Sequence, residues 1–359
     1  MEVGDMAYLR NCWYAAAWSE DLQPGSLLAR TLLDEPLVLF RDPAGRAVAL
    51  DDMCPHRLAP LRLGRLLPDG RLQCGYHGLE FDATGQCVRN PHGSGRISRN
   101  CRVRAYPLVE RHTLAWIWMG DEPPDEDLIP EFAYLDPGSG HDVGRRDTIL
   151  MRANYRYVVD NLMDLSHASF LHDGLLGNAE TVPAEIKVHQ DGPYIHVRRD
   201  MYNVQPPLLR DLLFKRDGAA VNMWQSIRWS APAAVLNDVG TYAPGTDREE
   251  FSGQLGCHIL TPETADTTHY FTAAARQGPL GAVPDEGEEA LKARIAELRR
   301  HAFKDQDDPM LTAQQENIRR HPGVSPVLLE IDIGPVRCQR ALDALIAAEQ
   351  QRAAEDAAP

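Results

Sequence analysis

The sequence has no apolar run long enough to cross a bilayer, which excludes a membrane-spanning helix. It has no excess of basic charge. The 37 Lys and Arg are outnumbered by 52 Asp and Glu, giving a net charge of −15. That balance disfavours a nucleic-acid or anionic-lipid surface. Met1–Asp5 is acidic and no apolar signal segment follows, so a cytoplasmic protein is expected. Cysteine is sparse, with seven in 359 residues, and in that compartment disulfides are a poor explanation for them. No internal repeat is found. What is there is a globular composition, 43% hydrophobic with mixed charge, in a chain long enough for two domains.

Residues 6–120 read as β-rich. Pro36–Asp42 and Ala47–Asp52 flank a Pro-Ala-Gly-Arg turn, and Glu80–Asp82 and Gln86–Val88 flank Ala-Thr-Gly-Gln. Arg104–Glu110 and Leu114–Met119 form a further strand pair. Residues 121–147, rich in Pro, Asp and Gly, read as a connecting segment. A second domain is expected over 148–352. It begins with a helical stretch at 150–175 whose apolar stripe includes Val158, Val159, Leu162 and Met163. β-like runs follow over 184–275, then helices over Glu288–Arg320 and Val336–Arg352. The Ala-rich end, 353–359, is expected to form a flexible tail.

Cys54-Pro-His56 and Cys74-Gly-Tyr-His77 form the pattern C-x-H-x17-C-x2-H. Two thiolates and two imidazoles are the ligand set of a Rieske [2Fe–2S] centre, in which two histidines replace two cysteines on one iron. A Cys2His2 zinc site is the competing assignment. Zinc knuckles usually pair like with like, whereas each loop here is mixed. Cys12, Cys87, Cys101, Cys257 and Cys338 read as small buried hydrophobes.

Asp164-x2-His167-x4-His172 forms a second constellation. Two histidines and a distant carboxylate make the facial triad of non-haem Fe(II) sites. His167 and His172 are five apart, about 140° around an ideal helix. Both reach one metal only if the helix loosens, so an irregularity such as a π-bulge is expected around Ser169–Leu171. The third ligand must come from elsewhere. In Phe303–Gln315, Asp308 precedes Pro309 and reads as an N-cap, which leaves Asp305 or Asp307.

With these motifs, the chain resembles the Rieske-type aromatic-ring-oxygenase α-subunits. Within them it is most similar to vanillate O-demethylase oxygenase subunits and related O-demethylating monooxygenases. The likeness runs through RNCWYAAAW (Arg10–Trp18), CPHR (Cys54–Arg57), CGYHGLEFD (Cys74–Asp82), NPHG (Asn90–Gly93) and VERHTLAWIWMGD (Val109–Asp121). It continues through NYRYVVDNLMDLSH (Asn154–His167), IRW (Ile227–Trp229) and HILTPET (His258–Thr264). Asp160 departs from the Glu that relatives often carry.

The resemblance implies an α+β fold. An N-terminal all-β Rieske domain precedes a helix-grip (START-like) catalytic domain with an antiparallel sheet and long C-terminal helices. It also implies Asp307 as the third iron ligand and a homotrimer. In that assembly His77 of one subunit meets Asp164 of the next, Asp164 holds His167, and Asn161 lies near the bridge.

The expected function is a terminal oxygenase. A flavin- and ferredoxin-type reductase draws on NAD(P)H and supplies electrons to the cluster. O2 is activated at the iron, and a small aromatic compound is oxidised. A methoxybenzoate such as vanillate, O-demethylated with release of formaldehyde, fits the likeness best. A ring hydroxylase, methyl-group hydroxylase or N-demethylase is the alternative on the same scaffold. A Rieske electron carrier and a zinc-stabilised binding module are the alternatives of other classes. Trp224, Gln225 and His258 fall in strand-like runs expected to line the pocket, with His258 or Arg228 placed to meet an aromatic carboxylate. His92, His112, His189 and His196 read as surface or packing residues.

Overall fold

Aspartate-led turns and short strands build the first of two units, Arg10–Ile129 with Thr261–Ala265. The computed structural model describes residues 7–215, 217–278 and 287–356. At Asp42 the carboxylate accepts from the amides of Ala44 and Arg46, both at 2.9 Å. At Asp82 it accepts from Thr84 at 2.9 Å and Gln86 at 3.1 Å. Each carboxylate thus holds its turn closed. Gly45 and Gly85 supply the left-handed residue at φ +81° and +77°.

The strands form three small antiparallel sheets. Trp13–Trp18 pairs with Leu114–Trp118, which also pairs with Leu108–Arg111. Leu28–Leu32, Glu35–Arg41, Ala47–Asp51 and Ala105–Tyr106 make the second. Arg65–Leu66, Leu72–Gln73, Glu80–Phe81 and Cys87–Arg89 make the third. Phe40, Leu61, Leu72 and Phe81 form a core that also takes in Cys54, Cys74 and Cys87.

Among the described residues, the second unit takes in 7–9, 130–260 and 266–356. An eight-stranded antiparallel sheet dominates it. From one edge run Lys187–Asp191, Tyr194–Val204, Val221–Ser230, Ala234–Tyr242, Ser252–Thr264 and Thr267–Gln277. Asp142–Val143 and Asp147–Met151 both pair with the last of these. Burial alternates along Tyr194–Met201, as a two-residue period requires.

Among the described residues, five α-helices complete the unit: α1 (Tyr155–Met163), α2 (Leu208–Leu213), α3 (Glu288–Arg300), α4 (Asp308–Arg320) and α5 (Ile333–Asp356). α1 packs on α5, which also touches the strand Tyr194–Val204. The Asn154 side chain caps α1 by accepting from the amide of Arg156 at 2.9 Å.

Several expectations need correction. The α-helix expected over 150–175 is confined to 155–163, because Asp147–Met151 is a strand and Asp164 turns extended at φ −89°, ψ 102°. The irregularity near Ser169 is not a π-bulge. His167–Ser169 is a short 3-10 turn, and the π-helical stretch is His301–Asp307, between α3 and α4. Asp308 is not an N-cap. Its φ −56° and ψ −45° are helical, because the π-helix runs straight into α4. The 121–147 connection is divided, with 121–129 in the first unit and 130–147 in the second. The tail expected at 353–359 is helical as far as Asp356, as the last part of α5. Residue 6 and residues 357–359, at the ends of the expected ranges, lie outside the described residues.

Two predictions follow from this packing. Asp308 is fully buried and accepts from the Arg152 amide at 2.6 Å and from Lys304 Nζ at 2.9 Å, whereas Asp305 is exposed beside His301. In denaturant unfolding, Asp308→Ala should cost about 1–3 kcal/mol and Asp305→Ala less than about 0.5 kcal/mol.

The second concerns Asp160 on α1. Burial lifts its carboxyl to about 7, while the Gln339 amide and the Arg156 charge pull it back. A carboxyl raised above its unfolded value contributes stability fully only below that unfolded value, about 3.9. The contribution is lost as pH climbs through the folded value. The Tm advantage of Asp160→Asn over the native chain should therefore grow from pH 4 to pH 7 and then level off. A difference constant with pH would contradict it.

Candidate active site

In the first unit, two loops fold alike. The Cys54 amide donates to Ala59 O at 2.9 Å, and the Leu58 amide donates to Cys54 O at 2.9 Å. The Cys74 amide donates to Leu79 O at 2.8 Å, and the Gly78 amide donates to Cys74 O at 3.0 Å. The corner residues Leu58 and Gly78 both turn left-handed, at φ +57° and +69°. Each loop thus buries a thiol and carries an imidazole outward.

Cys54 and Cys74 are buried, while the rings of His56 and His77 meet at 4.5 Å between centroids. Burial first, then the neighbouring Cys74, pushes the Cys54 thiol up to about 11. A Cys54 thiolate therefore needs metal charge to hold it, and two buried sulfurs beside two ring nitrogens suit a Rieske cluster. A cleft of about 530 Å³ opens beside both histidines. His92, expected to be a surface or packing residue, places its Nε2 2.8 Å from the His77 carbonyl.

In the second unit, the segment after α1 brings His167 and His172 to face the π-helical turn that ends at Asp307. Potential ligand atoms of these three residues all lie within 4.8 Å of one another. His172 Nε2 is 3.1 Å and His167 Nε2 3.9 Å from Asp307 Oδ1. The other ring nitrogens are already engaged. His167 Nδ1 lies 2.5 Å from the Asp164 carbonyl, and His172 Nδ1 lies 2.8 Å from Gln306 Oε1. If each Nδ1–H donates to its oxygen, both Nε2 lone pairs face the same point.

His172 Nε2 is buried and has no hydrogen-bond partner. Burial draws His167 down and keeps it neutral. At His172 burial also opposes charge, but Asp307 outweighs it and draws a proton on. A metal cation would balance Asp307 in the proton's place, so the donor set fits a mononuclear iron.

Spacing left Asp305 and Asp307 open; here Asp307 faces the histidines, while Asp305 pairs with His301 at 2.9 Å on the surface. Asn161 donates to Asp307 Oδ1 at 3.2 Å. Asp164 holds His167 through its main-chain carbonyl. Its carboxylate stands 4.0 Å from His167 Nδ1 and accepts instead from Ser166 N at 2.8 Å and Ser166 Oγ at 2.5 Å.

Beside the triad lies a cavity of about 90 Å³. Alternate residues of three adjacent strands line it: Gln225 and Ile227, Asn237 and Val239, Gly256 and His258. A Cβ on Gly256 would stand 2.9 Å from His258 Nε2, so glycine leaves that ring its space. His258 Nδ1 is 2.5 Å from the Tyr270 hydroxyl. Burial draws His258 down to about 3, so it is a neutral hydrogen-bonding group and not a charged anchor.

Two pocket expectations are corrected. Trp224 points to the other face of its strand, against Phe251 and Asp238. Arg228 sits over the Tyr194 ring, 4.9 Å from its centroid, and does not line the cavity. Sequence reasoning missed Gln306, which was concealed in an acidic run. It also missed Arg210, whose signal was an Arg-Asp pair inside the otherwise apolar Leu208–Leu213.

Residues 12–107 match the Rieske [2Fe-2S] domain, and residues 151–348 match the vanillate O-demethylase oxygenase C-terminal domain. The oxygenase component of dicamba O-demethylase from Stenotrophomonas maltophilia is 38% identical, over 95% of this chain and 98% of its own. A vanillate O-demethylase oxygenase subunit from a Pseudomonas strain is 32% identical, over 96% of each chain. A crystal structure of dicamba monooxygenase with non-heme iron and dicamba superposes with a TM-score of 0.77 at 34% identity, covering 96% of this chain and 99% of that one. The chain therefore belongs to the Rieske non-haem iron oxygenases of the vanillate O-demethylase type, as the terminal oxygenase of a multicomponent monooxygenase system that uses a [2Fe–2S] cluster and a mononuclear iron.

Proposed function

We propose that this oxygenase O-demethylates a small methoxylated aromatic acid, and that the paired imidazoles and Asp307 hold its iron. The observation that carries the metal assignment is the bare, buried Nε2 of His172 aimed at Asp307. Cys54, His56, Cys74 and His77 hold the cluster; His167, His172 and Asp307 hold the iron. Bound there, the cluster relays single electrons and the iron activates O2, chemistry that no side chain offers.

The protein's own groups set geometry. Gln306 and the Asp164 carbonyl fix the two rings, and Asn161 steadies the Asp307 carboxylate. Gln225 and His258 meet the substrate from the sheet side of the cavity. Dicamba and vanillate demethylases among the relatives favour a methoxy substrate. In the net reaction a methoxy group, O2, two electrons and two protons give a phenol, formaldehyde and water. The electrons come from NAD(P)H through a flavin- and ferredoxin-type reductase. A homotrimer in the cytoplasm, with Asp164 on the electron's way to His167, belongs to the same reading.

With a matched reductase, a panel of methoxybenzoates should give oxygen uptake with equimolar formaldehyde. Uptake that yields a hydroxylated ring and no formaldehyde would replace demethylation with hydroxylation. Metal analysis should separate the residue roles. Asp307→Ala should lose the mononuclear iron and keep the visible spectrum of the cluster. Gln306→Leu should lower iron affinity or turnover about 10–100-fold. Asp164→Asn should keep both metals yet nearly abolish turnover, and full activity there would remove Asp164 from the electron route.

A further inference from the structure

Next in sequence to Asp211, whose carboxylate accepts from the Gly218 amide at 3.2 Å, Arg210 is a charged side chain on α2. It is 8% exposed and lines the same cavity as His167, His172 and Asp307. Among the described residues no carboxylate pairs with it, and none of its side-chain nitrogens donates a hydrogen bond to protein. Its neighbours on the helix, Leu209, Leu212 and Leu213, are buried and apolar.

Arg199 adds a second positive charge behind the same wall. It donates to Gln225 Oε1 at 3.2 Å, and its Nε is buried without a partner. Burial, and then Arg199, draw the Arg210 guanidinium down to about 9, with only Asp238 opposing. It is therefore still a cation at neutral pH. A buried unpaired cation is costly. A chain that keeps one facing its substrate cavity has left a place for an anion.

Arg299, the other guanidinium on this wall, is occupied differently, donating to Thr272 Oγ1 at 2.8 Å. His258 is neutral. Of the two guanidinium groups on this wall, Arg210 is thus the one that makes no hydrogen bond to protein among the described residues.

We propose that Arg210 is the specificity-determining anchor of the oxygenase. Its guanidinium receives the carboxylate of an aromatic acid and leaves the rest of the ring toward the metal triad. This rests on the demethylase reading above, since it names the residue that holds the acid group of that same substrate. A planar guanidinium fork matches a carboxylate with two parallel hydrogen bonds. The apolar residues of the cavity take the ring.

The test is calorimetric binding to the anaerobic, iron-loaded protein. The probes are 3-methoxybenzoate, its uncharged counterpart 3-methoxybenzamide, and 4-methoxybenzenesulfonate. The native protein should bind the benzoate at least tenfold more tightly than the benzamide. Arg210→Gln should erase that preference by weakening the acid alone, with the benzamide changed less than twofold. Arg210→Lys should retain part of it. The sulfonate separates a carboxylate fork from a general oxyanion seat, and binding as tight as the benzoate would overturn the planar carboxylate match.

Unchanged acid binding in Arg210→Gln, equal weakening of acid and amide, or loss of preference in Arg299→Gln instead would each overturn the proposal. So would a native protein that does not prefer the acid. Thermal melts by circular dichroism confirm that the variants fold. Because binding is read without turnover, failure of the anchor is distinct from failure of the demethylase reading, which formaldehyde release decides.

Discussion

Two imidazoles must present bare nitrogens to one carboxylate inside a dry wall, and much of the catalytic unit is arranged around that demand. A ring can offer its Nε2 lone pair only if its Nδ1–H is bound elsewhere. The Asp164 carbonyl does this for His167, and Gln306 does it for His172. The carbonyl is available because α1 ends at Met163 and Asp164 turns extended, so its oxygen no longer belongs to a helix. Gln306 is available because the backbone between α3 and α4 winds as a π-helix over His301–Asp307. That winding places Gln306 and Asp307, adjacent in sequence, toward the same histidine. π-helical turns often mark functional sites for this kind of reason.

The cluster unit solves a related problem by repetition. Two loops of different sequence, one with a single residue and one with two between Cys and His, adopt the same pattern of amide and carbonyl pairing. A left-handed corner closes each. Gly78 reaches it without strain, while Leu58 needs the surrounding pairings to hold it there. The thiols thereby enter the core and the imidazoles face outward, which is what inner and outer irons require.

Between metal and sheet, the cavity sorts its polar groups by charge. Burial keeps His258 neutral and ties it to Tyr270. Arg299 is held by Thr272. Arg210 makes no ion pair or hydrogen bond among the described residues. On the anchor proposal, a cation without an ion-pair partner selects by charge, while the strand side chains around it select by shape.

The cluster motif, both histidines, the β-rich first half and the C-terminal helices were legible in the sequence, because each rests on local spacing or local periodicity. The paired Asp-led turns at Asp42 and Asp82 are of this kind, since a carboxylate bonds amides two and four residues on. Asp307 could not be separated from Asp305 by spacing, nor could Asp308 be denied a cap. That choice depends on a π-helical turn, whose phase is set by packing rather than by the residues within it. The same reason hid Gln306. Trp224 and Gln225 are neighbours on one strand, and only the sheet decides which of them faces the cavity. Arg210 reads in sequence as the basic half of an Arg-Asp pair in a leucine-rich helix. Its meaning comes from what the fold fails to place beside it, and the absence of a counter-ion is a property of three-dimensional surroundings that no spacing along a chain encodes.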